Sequence, residues 1–270
     1  MTRAYLPLFA GVVAALFSAA SPALAQEAPV PSQCLAIANS VPNVTYANFT
    51  PVQLAADGEV TITYAGHSTY LIDTPGGVRI ATDFSGAYGA DPLPDVVTMN
   101  KAHGSHFTLS PDARIAHILP GWGDAEPARH AVVVDDVYIR NVPTDILRSG
   151  MTEQGDNSIF IFEVAGLCIG HLGHLHHRLE PEHYGEIGRL DIVMVPIDGG
   201  MTMSLNDVSE ITARLQSAIV LPMHRFSTPI STFASMIGET FEVEYRDSRS
   251  FDVSLRTLPR RPTVLILDGV

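Results

Sequence analysis

From Glu59 onward the chain carries a dense succession of short apolar patterns. Val60, Ile62 and Tyr64 alternate with polar neighbours, the period-two signature of a half-buried strand. Two further strands are predicted at Ser68 to Ile72 and Val78 to Thr82, separated by the turn Pro75-Gly76-Gly77. Asp95 to Thr98 reads as a short strand that runs into a loop. Ala131 to Arg140, Ser158 to Val164 and Leu167 to His171 follow as strands, with Ala165-Gly166 closing the last two into a hairpin. Asp191 to Pro196 is a continuous apolar strand. Val208, Ile211 and Leu215 fall at helical spacing, which predicts a helix over Asn206 to Ser217 with Asn206 as its N-cap. Ile219 to Pro222 is a strand and Thr228 to Ile237 a helix, after which Phe241 to Tyr245, Phe251 to Leu255 and Val264 to Leu267 complete the chain as strands. This order suits two mixed sheets packed face to face with helices outside.

The N-terminus follows another rule. Arg3 precedes an apolar run over residues 5–20, and Ala23-Leu24-Ala25 then offers a small-x-small cleavage pattern before Gln26. The competing reading, a membrane anchor, fits less well, because the run is short and Pro22 and Gln26-Glu27 follow at once. Residues 1–25 are therefore expected to be a signal peptide, 26–56 a Pro/Ala-rich N-terminal arm with one short helix around Cys34 to Asn39, and 57–270 the folded domain. The expected location is periplasmic or secreted, with no stable membrane anchor. The formal net charge of −13 disfavours a nucleic-acid partner, since phosphate binding depends on Lys and Arg. A small-molecule substrate is expected, and the oligomeric state stays open. The two cysteines, Cys34 and Cys168, could pair in an oxidising compartment or remain separate buried thiols; export favours the disulfide.

Candidate chemistry lies in the histidines. Of eleven, five fall between His171 and His183. Neighbouring residues of an extended segment point to opposite sides, so only one or two of these five could serve one metal, and a surface histidine patch is the plain alternative. His67, His103, His106 and His224 stand at predicted strand–loop junctions, where loops at one end of a sheet can converge. Neutral imidazole is a common zinc ligand, and three protein ligands with an open position make a hydrolytic site.

The motifs Gly66-His67-Ser68, Ala81-Thr82-Asp83, His171-Leu172-Gly173, Pro196 to Thr202 and Pro222-Met223-His224 resemble, in this order, the metallo-β-lactamase superfamily. The branch they resemble includes L-ascorbate 6-phosphate lactonase and related metal-dependent hydrolases. The resemblance implies an α/β fold, a four-layer αββα sandwich of two mixed β-sheets, with metal held between loop ends. It maps the family loop His-x-His-x-Asp-His onto Lys101-Ala102-His103-Gly104-Ser105-His106, so His103 and His106 match while Lys101 and Ser105 depart. Thr144 and Asp145 stand where the family's next histidine is expected, and His174 replaces its bridging aspartate. His224 matches the final histidine.

The implied metal ligands are His103, His106, His174 and His224, holding one or two divalent ions, zinc foremost. His67, Asp83, Ser105 and His171 are supporting residues or alternative ligands, with Asp83 positioned to orient an imidazole. Lys101, His103 and Asp145 are the catalytic candidates. Lys101 would supply positive charge where a metal is lost, ligate as a neutral amine if buried, or simply point to solvent. Asp145 would act as an extra ligand or base, with a solvated loop carboxylate as its equally weighted alternative. The expected function is hydrolysis of an ester, lactone or phosphoester by metal-activated water. The alternatives are a catalytically inactive metal- or ligand-binding protein of the same fold and, more weakly, an interaction protein that docks through its arm.

Overall fold

The computed structural model describes residues 32–35 and 58–270. The leader and the cleavage point, together with most of the arm and its expected short helix, lie outside the described residues.

The described residues form two sheets. The first has six strands: β1 (Val60–Gly66), β2 (Thr69–Asp73), β3 (Arg79–Ala81), β4 (Val96–Met99), β5 (His117–Pro120) and β13 (Ser250–Val253), in the order β13-β1-β2-β3-β4-β5. The second has eight: β6 (Ala131–Val134), β7 (Val137–Arg148), β8 (Met151–Val164), β9 (Leu167–His171), β10 (Ile192–Pro196), β11 (Ile219–Met223), β12 (Glu242–Tyr245) and β14 (Thr263–Ile266), ordered β12-β14-β11-β10-β9-β8-β7-β6. Both are mixed. In the first, β1 to β3 pair antiparallel and β3 to β5 parallel. In the second, β6 to β9 are antiparallel and β9, β10, β11, β14 and β12 run parallel.

The apolar pattern explains the layering. The alternation in β1 buries Val60, Ile62 and Tyr64 against Phe160, Phe162, Met194 and Leu221 of the other sheet. The β10 strand is buried on both faces, as its unbroken apolar sequence requires, because its second face meets helices. Those helices are α1 (Pro181–Ile187), α2 (Leu205–Leu215) and α3 (Ile230–Ile237), and Ile187, Val208, Ile211 and Phe233 close the outer core over Val193 and Val220. The outer face of the six-stranded sheet is covered instead by loops carrying Phe84, Phe107, Ile115 and Trp122. The fold is thus the expected sandwich of two mixed sheets, with its helices gathered on the eight-stranded side among the described residues.

Several local expectations need correction. Ala131 to Arg140 is a hairpin rather than one strand, turned at Asp135-Asp136, where Asp135 takes a left-handed φ of 47°. The N-cap of α2 is Ser204, whose Oγ accepts from the Asp207 backbone N–H, two residues before the expected Asn206. The strand β7 continues through Thr144 and Asp145 to Arg148, and β8 begins at Met151, so a long hairpin projects past the sheet. Ser149 and Gly150 both have positive φ, the geometry of a primed two-residue hairpin turn. The pairing shifts register between Thr144 and Ile146, and the Gly155 N–H donates to Asp145 Oδ1 at 2.9 Å across this bulge. β5 and α1 carry too little periodicity to be read from sequence.

Cys34 and Cys168 form the expected disulfide. It fastens residues 32–35 to β9. The buried Glu163 carboxylate reinforces this by accepting from the Ser32 hydroxyl and from the Gln33 and Cys34 backbone N–H groups. Arg140 pairs with Glu163 at 2.8 Å and donates to the Glu186 and Ile187 carbonyls, so one buried ion pair joins arm, sheet and α1 with its hydrogen bonds filled.

Candidate metal centre

The histidines meet because strand ends from both sheets meet. His103 and His106 lie in the loop after β4, His174 after β9 and His224 after β11, while His67 stands in the turn between β1 and β2. The His224 N–H donates to the His67 carbonyl at 2.8 Å, which joins the two sheets at this end. Asp83 follows β3 and Asp198 follows β10. His67, Asp83 and His224 all adopt left-handed backbone with φ of 55°, 43° and 49°. Such conformations persist where surrounding packing enforces them and concentrate at functional sites. Gly173 explains its motif: its φ is +63°, and a Cβ there would lie 2.4 Å from both Asn100 Nδ2 and Asn157 Oδ1. Asn157 Oδ1 accepts the His174 N–H at 2.7 Å, so the glycine lets the asparagine set the position of His174.

His67, His103, His106 and His224 each offer a ring nitrogen, and these atoms all lie within 4.8 Å of one another. The His174 ring lies outside that set of four, but its centroid is 4.6 Å from His106, 4.8 Å from His224 and 5.0 Å from His103. The Nε2 atoms of His103, His106, His174 and His224 are buried and have no hydrogen-bond partner among the described residues. Their Nδ1 atoms are all engaged. His106 Nδ1 is 2.7 Å from Asp83 Oδ2, and His224 Nδ1 is 2.9 Å from Asp198 Oδ2. His103 Nδ1 meets Ser105 Oγ at 2.8 Å, and His174 Nδ1 meets His176 Nε2 at 2.7 Å. A carboxylate can only accept, so His106 and His224 carry their proton on Nδ1 and leave the Nε2 lone pair free. Outer carboxylates orient metal-binding imidazoles in this way.

The electrostatics agree. Burial, then the neighbouring imidazoles, pushes His67 and His103 down to about 4. The same causes push His174 down to about 2. These rings are neutral at pH 7. Burial alone would raise the Asp83 carboxyl, but His171, His106 and the Asn100 amide outweigh it and hold the group below the usual range. Asp198 is likewise held low against its burial, by hydrogen bonds from His224, Thr202 and Gly200. Two covered carboxylates surrounding neutral imidazoles give a centre whose charge a dication would balance. Four orphaned, buried nitrogen lone pairs are otherwise costly, so the donor set fits a divalent ion. An all-imidazole set suits zinc, copper, nickel or iron better than magnesium or calcium.

The remaining candidates divide. Ser105 supports the centre, since its Oγ also lies 2.9 Å from His67 Nε2. His171 is not free to ligate: its Nε2 is 2.8 Å from the Ser68 carbonyl and its Nδ1 accepts from the Gly173 N–H. Lys101 is half exposed, with Nζ 3.5 Å from Asp156, so its charge is paired with that carboxylate. The Asp145 carboxylate belongs to the hairpin bulge and does not enter the cluster. Thr144, at the other vacated ligand position, accepts from Asn157 Nδ2. Sequence reasoning missed Asp198 and His176 as supports. Asp198-Gly199-Gly200 directly after an apolar parallel strand was the available signal, because strand carboxyl ends are where such sheets present functional groups.

A cavity of about 340 Å³ opens beside His103 and His174. Ala102, Ile146, Leu147 and Met201 contribute to its wall, with His176 and Arg148.

This sandwich, with imidazoles held between the two sheets' loop ends, defines a protein built around a histidine metal centre. The model of the beta-lactamase superfamily domain matches residues 61–224, and the chain belongs to this metallo-β-lactamase superfamily. A UPF0173 metal-dependent hydrolase of Methanospirillum hungatei is 24% identical over 206 residues, 68% of this chain and 93% of that protein. A UPF0173 metal-dependent hydrolase of Pyrococcus horikoshii is 25% identical over 214 residues, 68% and 95% of the two chains. A solved structure from Thermotoga maritima, described as a candidate Zn-dependent hydrolase of the superfamily, shares the fold with a TM-score of 0.54. It is 24% identical and covers 77% of this chain and 98% of its own.

Proposed function

We propose that this protein is an exported metal-dependent hydrolase of an ester, lactone or phosphoester, in the branch that resembles L-ascorbate 6-phosphate lactonase. The observation that carries the reading is the convergence of four buried Nε2 atoms, unpartnered among the described residues, whose Nδ1 atoms are anchored. His103, His106 and His224 would hold the ion, with His174 or His67 as a further ligand. A bound divalent ion would supply Lewis acidity and activate water. Asp83 and Asp198 keep His106 and His224 in the required tautomer. His176 orients His174 and reaches the cavity, where Arg148 offers N–H donors to a substrate oxygen. The disulfide supports the exported, periplasmic or secreted location, because disulfides persist in oxidising compartments.

The test is elemental analysis of the isolated protein, followed by chelation, reconstitution with zinc and a screen of carboxylic esters, lactones and phosphoesters. Activity that disappears on chelation and returns with metal is expected. Stoichiometric metal with no turnover on any class would favour the binding-protein alternative, and no metal would sink both.

A further inference from the structure

The cavity beside the centre has a chemistry of its own. Ala102 follows β4, Ile146 and Leu147 come from the β7–β8 hairpin, and Met201 comes from the loop after β10. Three segments distant in sequence thus bring apolar side chains to one cavity that adjoins His103 and His174. The bulge at Asp145 sets the register of the hairpin portion. Among the described residues no carboxylate lines this cavity, although the chain as a whole is strongly acidic. The cationic residue among the described ones that line it is Arg148, already bonded through Nη2 to the Ala102 carbonyl and 3.4 Å from Glu153. Lys101, which could have supplied a second charge, is paired with Asp156 instead. A phosphoester with two negative charges would meet a single, shared guanidinium and several methyl and methylene groups. An aliphatic acyl chain would meet a surface of its own kind.

We propose that the substrate class is a carboxylic ester or lactone with a medium-length aliphatic acyl group, seated against Leu147 and Met201, rather than a phosphoester. This rests on the hydrolase reading above for the reaction, but not for the binding. About 340 Å³ is the liquid volume of roughly eleven waters at about 30 Å³ each, which leaves room for a group of octanoyl size. Hydrolysis adds water across the acyl C–O bond and releases a carboxylate, an alcohol and one proton, with no further reactant. The acyl chain lies along the hairpin side of the cavity, and its carboxyl end meets the imidazoles.

The test uses the full, zinc-loaded protein and two readouts. In calorimetry, octanoate should bind and inorganic phosphate should bind more weakly. Leu147 and Met201 are 44% and 45% exposed, so Leu147→Ser and Met201→Ser leave the core intact. Each should weaken octanoate about tenfold, the scale of a lost apolar pocket contact. In turnover, p-nitrophenyl octanoate should exceed p-nitrophenyl acetate in kcat/KM, and both should exceed p-nitrophenyl phosphate. Tighter binding of phosphate than of octanoate, or octanoate binding unmoved by both substitutions, overturns the proposal while leaving a hydrolase possible on other substrates. Octanoate binding that depends on both residues, without turnover of any ester, upholds the acyl-binding site and overturns the hydrolase reading on which the substrate claim rests.

Discussion

Replacing Asp198 by asparagine isolates the role of a single proton. The carboxylate is fully covered and makes two kinds of bond. Oδ1 accepts from the Gly200, Met201 and Thr202 N–H groups at 2.9, 2.5 and 2.9 Å, which shapes the loop after β10. Oδ2 accepts from Thr202 Oγ1 at 2.5 Å and from His224 Nδ1 at 2.9 Å. An asparagine can keep the loop bonds through its carbonyl oxygen, but its amide then presents N–H groups to His224. The imidazole must answer with a lone pair on Nδ1, which moves its proton to Nε2 and removes one donor from the centre. Loss of such an outer partner typically costs 10–100-fold in metal affinity, or about 1.4–2.7 kcal/mol. The metal-free stability of Asp198→Asn should fall by only about 1 kcal/mol, since the loop bonds persist without their charge. Asp198→Ala, which leaves all five donors unpartnered, should lose about 3 kcal/mol or more as well as the metal affinity. Zinc competition against a chromophoric chelator and urea unfolding of the metal-free variants provide the two axes. An Asn variant that binds zinc within twofold of wild type would refute the tautomer argument. So would parallel loss of affinity and stability in both variants.

Four other outcomes are expected. His106→Ala and His224→Ala should each strip most of the bound metal, whereas His183→Ala should not, and equal losses in all three by elemental analysis would indicate a nonspecific histidine patch. Lys101→His should leave metal stoichiometry unchanged because Lys101 is paired with Asp156, and a rise toward two ions per chain would restore a metal-replacing role. The folded-state values of His67 and His103 lie near 4, below the unfolded value near 6.5, so the unfolded chain takes up protons first. Their contribution to stability is full above about pH 6.5 and lost as pH falls through about 4; denaturant unfolding of metal-free protein that shows no weakening from pH 7.5 to pH 4.5 would contradict this. Cys34→Ser should cost about 3–5 kcal/mol, since the bridge closes a span of 134 residues, and an unchanged unfolding midpoint would show that the Glu163 contacts alone secure residues 32–35.

The sequence alone determined what is local or periodic. Alternation in Val60 to Tyr64 and the unbroken run Ile192–Pro196 specify their strands because one or both faces must be buried, and the helical spacing of Val208, Ile211 and Leu215 specifies α2. The ordered motifs around His67, His103, His106 and His224 marked the histidines worth following. Their convergence was another matter, because no local rule fixes how far apart the ends of β4, β9 and β11 lie until two sheets pack and His224 bonds to His67 across them. Packing also paired Lys101 with Asp156, drew Asp145 into a bulge and closed both ring nitrogens of His171. The Nδ1 partners, Asp198 and His176 among them, were hidden for the same reason. A hydrogen bond selects its partner by distance and direction, and those were set only when strands far apart in sequence came to end at one place.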